Sequence, residues 1–198
     1  MKLKIVQIGD PVLRQRARQL TVDELRSGPI QELIEFMKET MRDAPGVGLA
    51  APQVGMSLQL AVIEDRAEYS QDVSEEDLRV RDRQPVPFHV IANPRIIRSE
   101  GPSREFFEGC LSMAGFMALV PRADAITVEC LDETGKHKVI TATGWYARIL
   151  QHEIDHLNGS IYVDHMYTRT LTTLDNFNRN WKRKTPQEIR HLLLNEKS

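Results

Sequence analysis

No stretch of this 198-residue chain approaches the ~20 consecutive apolar residues that a bilayer-crossing helix needs. Cysteine is scarce. Cys110 and Cys130 are the only two, too few for a disulfide framework, and nothing else suggests secretion. Charge of one sign is also lacking. The formal net charge is -2, so neither nucleic acid nor an anionic membrane has a global electrostatic claim on the molecule. The N-terminal run Met1–Val6 is too short in its apolar part for a signal peptide, and no Arg/Ser-rich leader precedes the structured-looking sequence. No internal repeat is visible. What remains is 41% hydrophobic residues, enough for one good-sized core and hence a single catalytic-sized domain over 1–198.

Hydrophobic spacing locates the elements. Ile30, Leu33, Ile34, Met37 and Met41 recur at helical period between Pro29 and Pro45-Gly46, which predicts an amphipathic helix. A short helical segment is expected near Val12-Leu13. Val47–Val54 is rich in Gly and Ala and reads as a loop or irregular edge. Strands are predicted at Leu58–Ile63, Phe88–Ala92, Arg95–Arg98, Met117–Val120, Ile126–Leu131 and His137–Thr141, the last two joined by the turn Asp132–Gly135. Cys130 falls on the apolar side of its strand and reads as an inert buried thiol. Arg66–Pro87 is dense in both charge signs and reads as an exposed insertion with a helical turn near Glu75–Leu78. The tail over 170–198 is expected to be helical, with a basic lead-in at Trp181–Lys184 that is either a solvated face or a contact for ribosomal RNA. A helix from near Gly144 to Asn158-Gly159 carries apolar residues on more than one side, as buried helices do. Antiparallel sheets packed around that helix make an α+β fold.

That helix contains His152-Glu153-Ile154-Asp155-His156. Histidines four apart lie one turn apart on one face, where two imidazoles can share a divalent cation and the glutamate can reach a water beside it. Two ligands leave such a site incomplete. The extended metalloprotease pattern H-E-x-x-H-x-x-G-x-x-H fails at its last position, which is Tyr162. A downstream glutamate ligand would have to come from Glu188 or Glu196 in the tail. Cys110, in Glu108-Gly109-Cys110-Leu111-Ser112, is the best remaining third ligand, and it leaves a fourth position open, as catalytic sites do. A closed structural site would need a fourth protein ligand from His89, His137 or His165, all read more simply as surface or strand residues. Gly46–Gln53 is a second cluster: its small residues let backbone approach a ligand, and Gln53 could aim its amide at a developing oxyanion.

In this order, Gly46–Gln53, Glu108–Ser112 and His152–His156 resemble the three motifs of the peptide deformylases, G-x-G-hydrophobic-A-A-x-Q, E-G-C-hydrophobic-S and H-E-x-D-H. The similarity spans roughly Ile5–Arg169. Met113-Ala114-Gly115-Phe116 departs from the hydrophobic-Pro that follows the cysteine motif in many bacterial members. With Gly144–Arg148, it is closer to the mitochondrial-type branch. The resemblance implies removal of the formyl group from N-formylmethionine on nascent chains, with no DNA or membrane partner, by a monomer or homodimer. The implied compartment is the cytoplasm of a bacterium, or a mitochondrion or plastid if a leader has been trimmed. It implies one divalent ion on Cys110, His152 and His156, Fe²⁺ by preference, with Zn²⁺, Ni²⁺ or Co²⁺ tolerated. Glu153 would move protons, and Gln53 and the Leu111 backbone N–H would meet the oxyanion. Val47, Phe106, Trp145 and Ile149 would receive the methionine side chain, while Gly46, Gly48, Glu108 and Gly109 would contact the substrate. The runner-up readings are an ordinary H-E-x-x-H peptidase and a non-catalytic metal-binding module.

Overall fold

The computed structural model describes residues 1–71 and 73–194. Its elements run as α1 (Val22–Arg26), α2 (Gly28–Asp43), β1 (Gly48–Ala50), β2 (Leu60–Asp65), α3 (Glu75–Val80), β3 (Val86–Cys110), β4 (Met113–Leu131), β5 (His137–Thr143), α4 (Gly144–Leu157), β6 (Thr172–Thr173), α5 (Leu174–Asn176) and α6 (Pro186–Leu194), with short 3-10 turns at Pro11–Arg14 and Ala51–Val54. The strands form one antiparallel sheet in the order β1-β2-β3-β4-β5, with β6 added on β4. Among the described residues no helix is long and apolar enough to cross a membrane.

β2 explains the layering. Its residues are buried without a break, so both faces of the sheet are covered. Ala61 and Ile63 face α4 and pack with Leu150, Ile154 and Leu157. Leu60 and Val62 face the other way, onto Ile34, Met37 and Met41 of α2. The two helices thus clamp the sheet between them, and α4, with the histidine motif, occupies the inner layer. Thr21 caps α1 with a reciprocal capping box to Glu24, and Pro29 starts α2 where a missing N–H costs nothing.

Three expectations change. Gly48–Ala50 is not loop but the edge strand, paired with Ile63–Ala61. The strands expected at Phe88–Ala92 and Arg95–Arg98 are parts of one 25-residue strand that runs on to Cys110. Asn93-Pro94 and Gly101-Pro102 fall at bulges. The pairing with β4 shifts between Ala92 and Arg95 and between Glu100 and Ser103, and resumes each time. Asn93 takes positive φ there, and its side chain bonds both the N–H and the carbonyl of Leu20. The Arg66–Pro87 insertion is also less detached than its charge suggests. Arg83 pairs with buried Asp65 through two 2.8 Å bonds, and Asp82 accepts from Thr143 Oγ1.

The tail folds back. Ile189 of α6 packs with Phe107 and Leu119, and Phe177 and Trp181 lie against the same cluster. Cys130 is buried as expected, and burial pushes its thiol up to about 11.

Gly159 ends α4 at φ +78, and a Cβ there would lie 2.9 Å from the backbone carbons of Arg14 and Gln15. Gly159→Ala combines backbone strain with a clash against backbone that has no flexible end to move. It should cost about 1–3 kcal/mol, read as a lowered thermal midpoint.

Candidate active site

Cys110 ends β3 at a bulge, opposite Met113. His152 and His156 follow one another along the inner face of α4 with ring centroids 5.0 Å apart. Cys110 Sγ lies 3.2 Å from His156 Nε2, and one donor atom from each of the three residues falls within 4.8 Å of the others. A thiolate and two imidazole nitrogens at that spacing match the separations around a single tetrahedral cation, whose bonds are about 2.0–2.3 Å. No other side chain of the described residues joins the group, so the donor set fits a divalent ion with one open position. His156 is fully buried, and its Nδ1 meets no protein acceptor among the described residues.

The second layer centres on Glu108. His152 Nδ1 donates to its Oε2 at 3.0 Å, which turns Nε2 of the ring towards Cys110. Arg122 grips the same carboxylate with two bonds of 2.9 and 3.0 Å, and Arg148 adds a third at 2.5 Å. Arg122 also reaches Asp155, inside the histidine motif. Desolvation raises the Glu108 carboxyl, but the bonds from His152 and Arg122 outweigh it and hold the group well below the usual carboxylate range. Burial alone would lower His152; its bonds to Cys110 and Glu108 reverse that, while burial keeps His156 below its ordinary value. Tyr162, standing where the metalloprotease pattern would have a histidine, stacks on His152 at 6.3 Å and donates to Met113 Sδ.

Glu153 is 3% exposed, and its Oε2 has no hydrogen-bond partner among the described residues. Desolvation pushes its carboxyl up to about 7. Gly48 sits against it: a Cβ there would lie 2.2 Å from Glu153 Oε1. This contact, not turn geometry, is why position 48 has no side chain. Gln53 is 1% exposed and fixed at both ends. Its Oε1 accepts from Ala50 N–H at 2.9 Å, and its Nε2 donates to Ser112 Oγ at 3.3 Å and faces Cys110 Sγ at 3.5 Å. The N-terminal segment braces both loops, with Val6 N–H bonded to the Gln53 carbonyl and Ile8 N–H to the Ser112 carbonyl.

A cavity of about 700 Å³ opens over these groups. Gly46, Val47, Gly48, Gly109, Leu111, Trp145 and Ile149, all singled out in the sequence, line it. Phe106 is placed differently. Phe106 does not line the cavity, because the guanidinium groups of Arg81 and Arg148 each lie 5.2 Å from its ring. Its neighbour Phe107, which the strand pleat turns the opposite way, lines it instead. Glu108 lines the cavity, and its carboxylate is taken up by His152, Arg122 and Arg148. Sequence reading set Arg148 beside Trp145 near the substrate pocket but missed Arg122 and the bonds of both arginines to Glu108. Their only signal was two arginines in otherwise apolar stretches, at Pro121-Arg122 and Ala147-Arg148-Ile149.

The profile of the polypeptide deformylase family matches residues 2–171. The chain belongs to this family. It is 46% identical to the chloroplastic peptide deformylase 1A of Solanum lycopersicum over 172 residues, and 45% identical to the chloroplastic/mitochondrial peptide deformylase 1A of Arabidopsis thaliana over 173. Each match covers 87% of this chain, and the chain spans 62% and 64% of those two relatives. Among solved structures, a class I type b peptide deformylase from Acinetobacter baumannii, crystallised with Met-Ala-Ser bound, superposes with a TM-score of 0.74 at 30% identity, covering 84% of this chain and 99% of that one. The three deformylase motifs, far apart in this sequence, converge within one cavity.

Glu108→Gln weakens the bond that orients His152 and leaves Arg122 and Arg148 without their full counter-charge. Metal affinity, measured by competition with a chromogenic chelator, should fall about 10–100-fold.

Proposed function

We propose that this protein hydrolyses the formyl group from N-formylmethionine at the start of new polypeptides. One observation carries the reading: a two-nitrogen, one-sulfur donor set lies beside a buried, unbonded carboxylate oxygen and an amide locked towards the sulfur. That the related Acinetobacter enzyme was crystallised with Met-Ala-Ser supports it, since this is the peptide left when formyl-Met-Ala-Ser loses formate.

Cys110, His152 and His156 would hold the cation, which supplies Lewis acidity, lowering the pKa of water towards ~7 and polarising a carbonyl oxygen. Glu153 Oε2, which no donor among the described residues bonds, takes the proton from the attacking water. The carboxyl holds that proton in its dry surroundings and returns it to the leaving amine, so formate and a free N-terminus result. The Gln53 Nε2–H₂ and the Leu111 backbone N–H meet the charge that grows on the formyl oxygen. Because Ala50 N–H fixes the other end of the Gln53 amide, that donor needs little reorganisation, and losing such a donor typically costs about 3–4 kcal/mol. β1 is the sheet edge, so Gly46–Gly48 can pair with the extended backbone of a peptide. Val47, Trp145 and Ile149 offer the apolar wall for methionine.

We propose Fe²⁺ as the native ion. The mixed N/S donor set also accepts Zn²⁺, Ni²⁺ or Co²⁺, and ligand identity alone does not choose among them. A thiolate beside Fe²⁺ is open to oxidation. Iron-loaded protein should therefore lose formyl-Met-Ala-Ser hydrolysis during aeration and zinc-loaded protein should not; an iron form that keeps its full rate in air contradicts the assignment.

Glu153→Gln removes the proton carrier, and Gly48→Ala drives a methyl into the same carboxylate. Both should lower kcat for formyl-Met-Ala-Ser by roughly 10²-fold or more with metal content unchanged. Retained hydrolysis in Glu153→Gln would remove the proposed chemistry.

A further inference from the structure

The end of the Arg66–Pro87 insertion is tied to the core on both sides of one residue. Arg104 Nη1 donates to the Val80 carbonyl at 3.1 Å. Asp82 accepts from Thr143 Oγ1 at 2.7 Å, and Arg83 is paired with Asp65. Gly144 makes room: a Cβ there would lie 2.4 Å from Asp82 Cβ and 2.7 Å from the Arg81 carbonyl. The residue so presented is Arg81, and its side chain lines the cavity.

Three guanidinium groups lie against the rings of Trp145 and Phe106. Arg81 and Arg83 lie 5.2 and 5.3 Å from the Trp145 ring, and Arg81 and Arg148 each lie 5.2 Å from Phe106. Asp65 neutralises Arg83, and Glu108 neutralises Arg148. No carboxylate of the described residues forms an ion pair with Arg81; burial lowers its affinity for its proton, and the more distant charge of Asp77 offsets part of that. Beside it, Trp145 Nε1–H is buried with no acceptor among the described residues. Among the described residues the cavity therefore holds a cation without a direct carboxylate contact next to a donor without an acceptor, while its carboxylates, Glu108 and Glu153, are respectively fully engaged and buried. Stacking on two aromatic faces offsets part of the desolvation cost but supplies no hydrogen-bond acceptor.

We infer that Arg81 is a specificity-determining residue that takes a carboxylate from the substrate chain, so that nascent peptides with Asp or Glu at the second or third residue are preferred. This rests on the proposed deformylation. In that reading the first residue is always methionine, so the acidic side chain must come from the second or third residue as the peptide leaves β1. The planar guanidinium can receive it through two parallel N–H bonds.

The test compares kcat/KM of iron-loaded protein for formyl-Met-Asp-Ala, formyl-Met-Ala-Asp, formyl-Met-Ala-Ala and formyl-Met-Lys-Ala, in the wild type, Arg81→Gln and Arg81→Lys. At least one acidic peptide should be favoured over formyl-Met-Ala-Ala by about tenfold, the factor for one charge-assisted pair, and through KM. The preference should shrink at high ionic strength, vanish in Arg81→Gln and partly persist in Arg81→Lys. Calorimetric binding of the products Met-Asp-Ala and Met-Ala-Ala should show the same ratio without turnover. Equal rates for acidic and neutral peptides, a preference that survives Arg81→Gln, or an equal rise for all peptides in that variant overturns the inference while leaving deformylation standing. If formyl-Met-Ala-Ala itself is not hydrolysed, the proposed function falls and this inference with it.

Discussion

A single buried carboxylate, that of Glu108, organises the site. It is 5% exposed and bonded by Arg122 from β4, and by Arg148 and His152 from α4. An isolated carboxylate in such a place would be protonated or expelled; two guanidinium groups make its burial tolerable and its charge permanent. That charge fixes the tautomer and tilt of His152. Because Glu108 is two residues before Cys110 on β3, the contact also sets where the sulfur meets the imidazoles. Removing either arginine would leave an unbalanced ion in the interior, so the network stands or falls as a unit.

The same economy of space governs the other side of the cavity. Gly48 has no side chain because Glu153 occupies that volume, and the Gln53 amide is held by a backbone N–H only three residues away. The edge strand β1 therefore does two things at once. Its inner side packs against the buried Glu153 carboxylate, and its outer side pairs with no strand among the described residues, where an extended peptide could add. These roles need a strand, not a mobile loop, because a loop could not keep Gly48 against Glu153 within a few tenths of an ångström.

Much of this was readable in the chain. The 3.6 period of Ile34, Met37 and Met41 and the mixed apolar faces of α4 correspond to the two helices that cover the sheet. The histidine spacing placed both rings on one face, and Gly159 ended the helix. The strands were harder. Asn93-Pro94 and Gly101-Pro102 carry the composition of turns, yet cross-strand pairing with β4 absorbs them as bulges. Phe106 and Phe107 could not be told apart, because their facing depends on bulge positions along β3 and on Arg81 arriving from a segment that looked solvated.

The sequence by itself determined the metal-binding chemistry: a histidine pair and glutamate fixed by helical geometry, a cysteine with no competing role, and a glycine-rich segment next to a glutamine. These are local properties, set by residue type and by spacing within one element. Tertiary structure alone decided which charges neutralise one another and which residue walls the cavity. Arg122 and Arg148 lie 14 and 40 residues from Glu108, and Arg81 lies outside every motif. Contacts between residues so far apart depend on strand register and helix docking, which no spacing within the chain encodes.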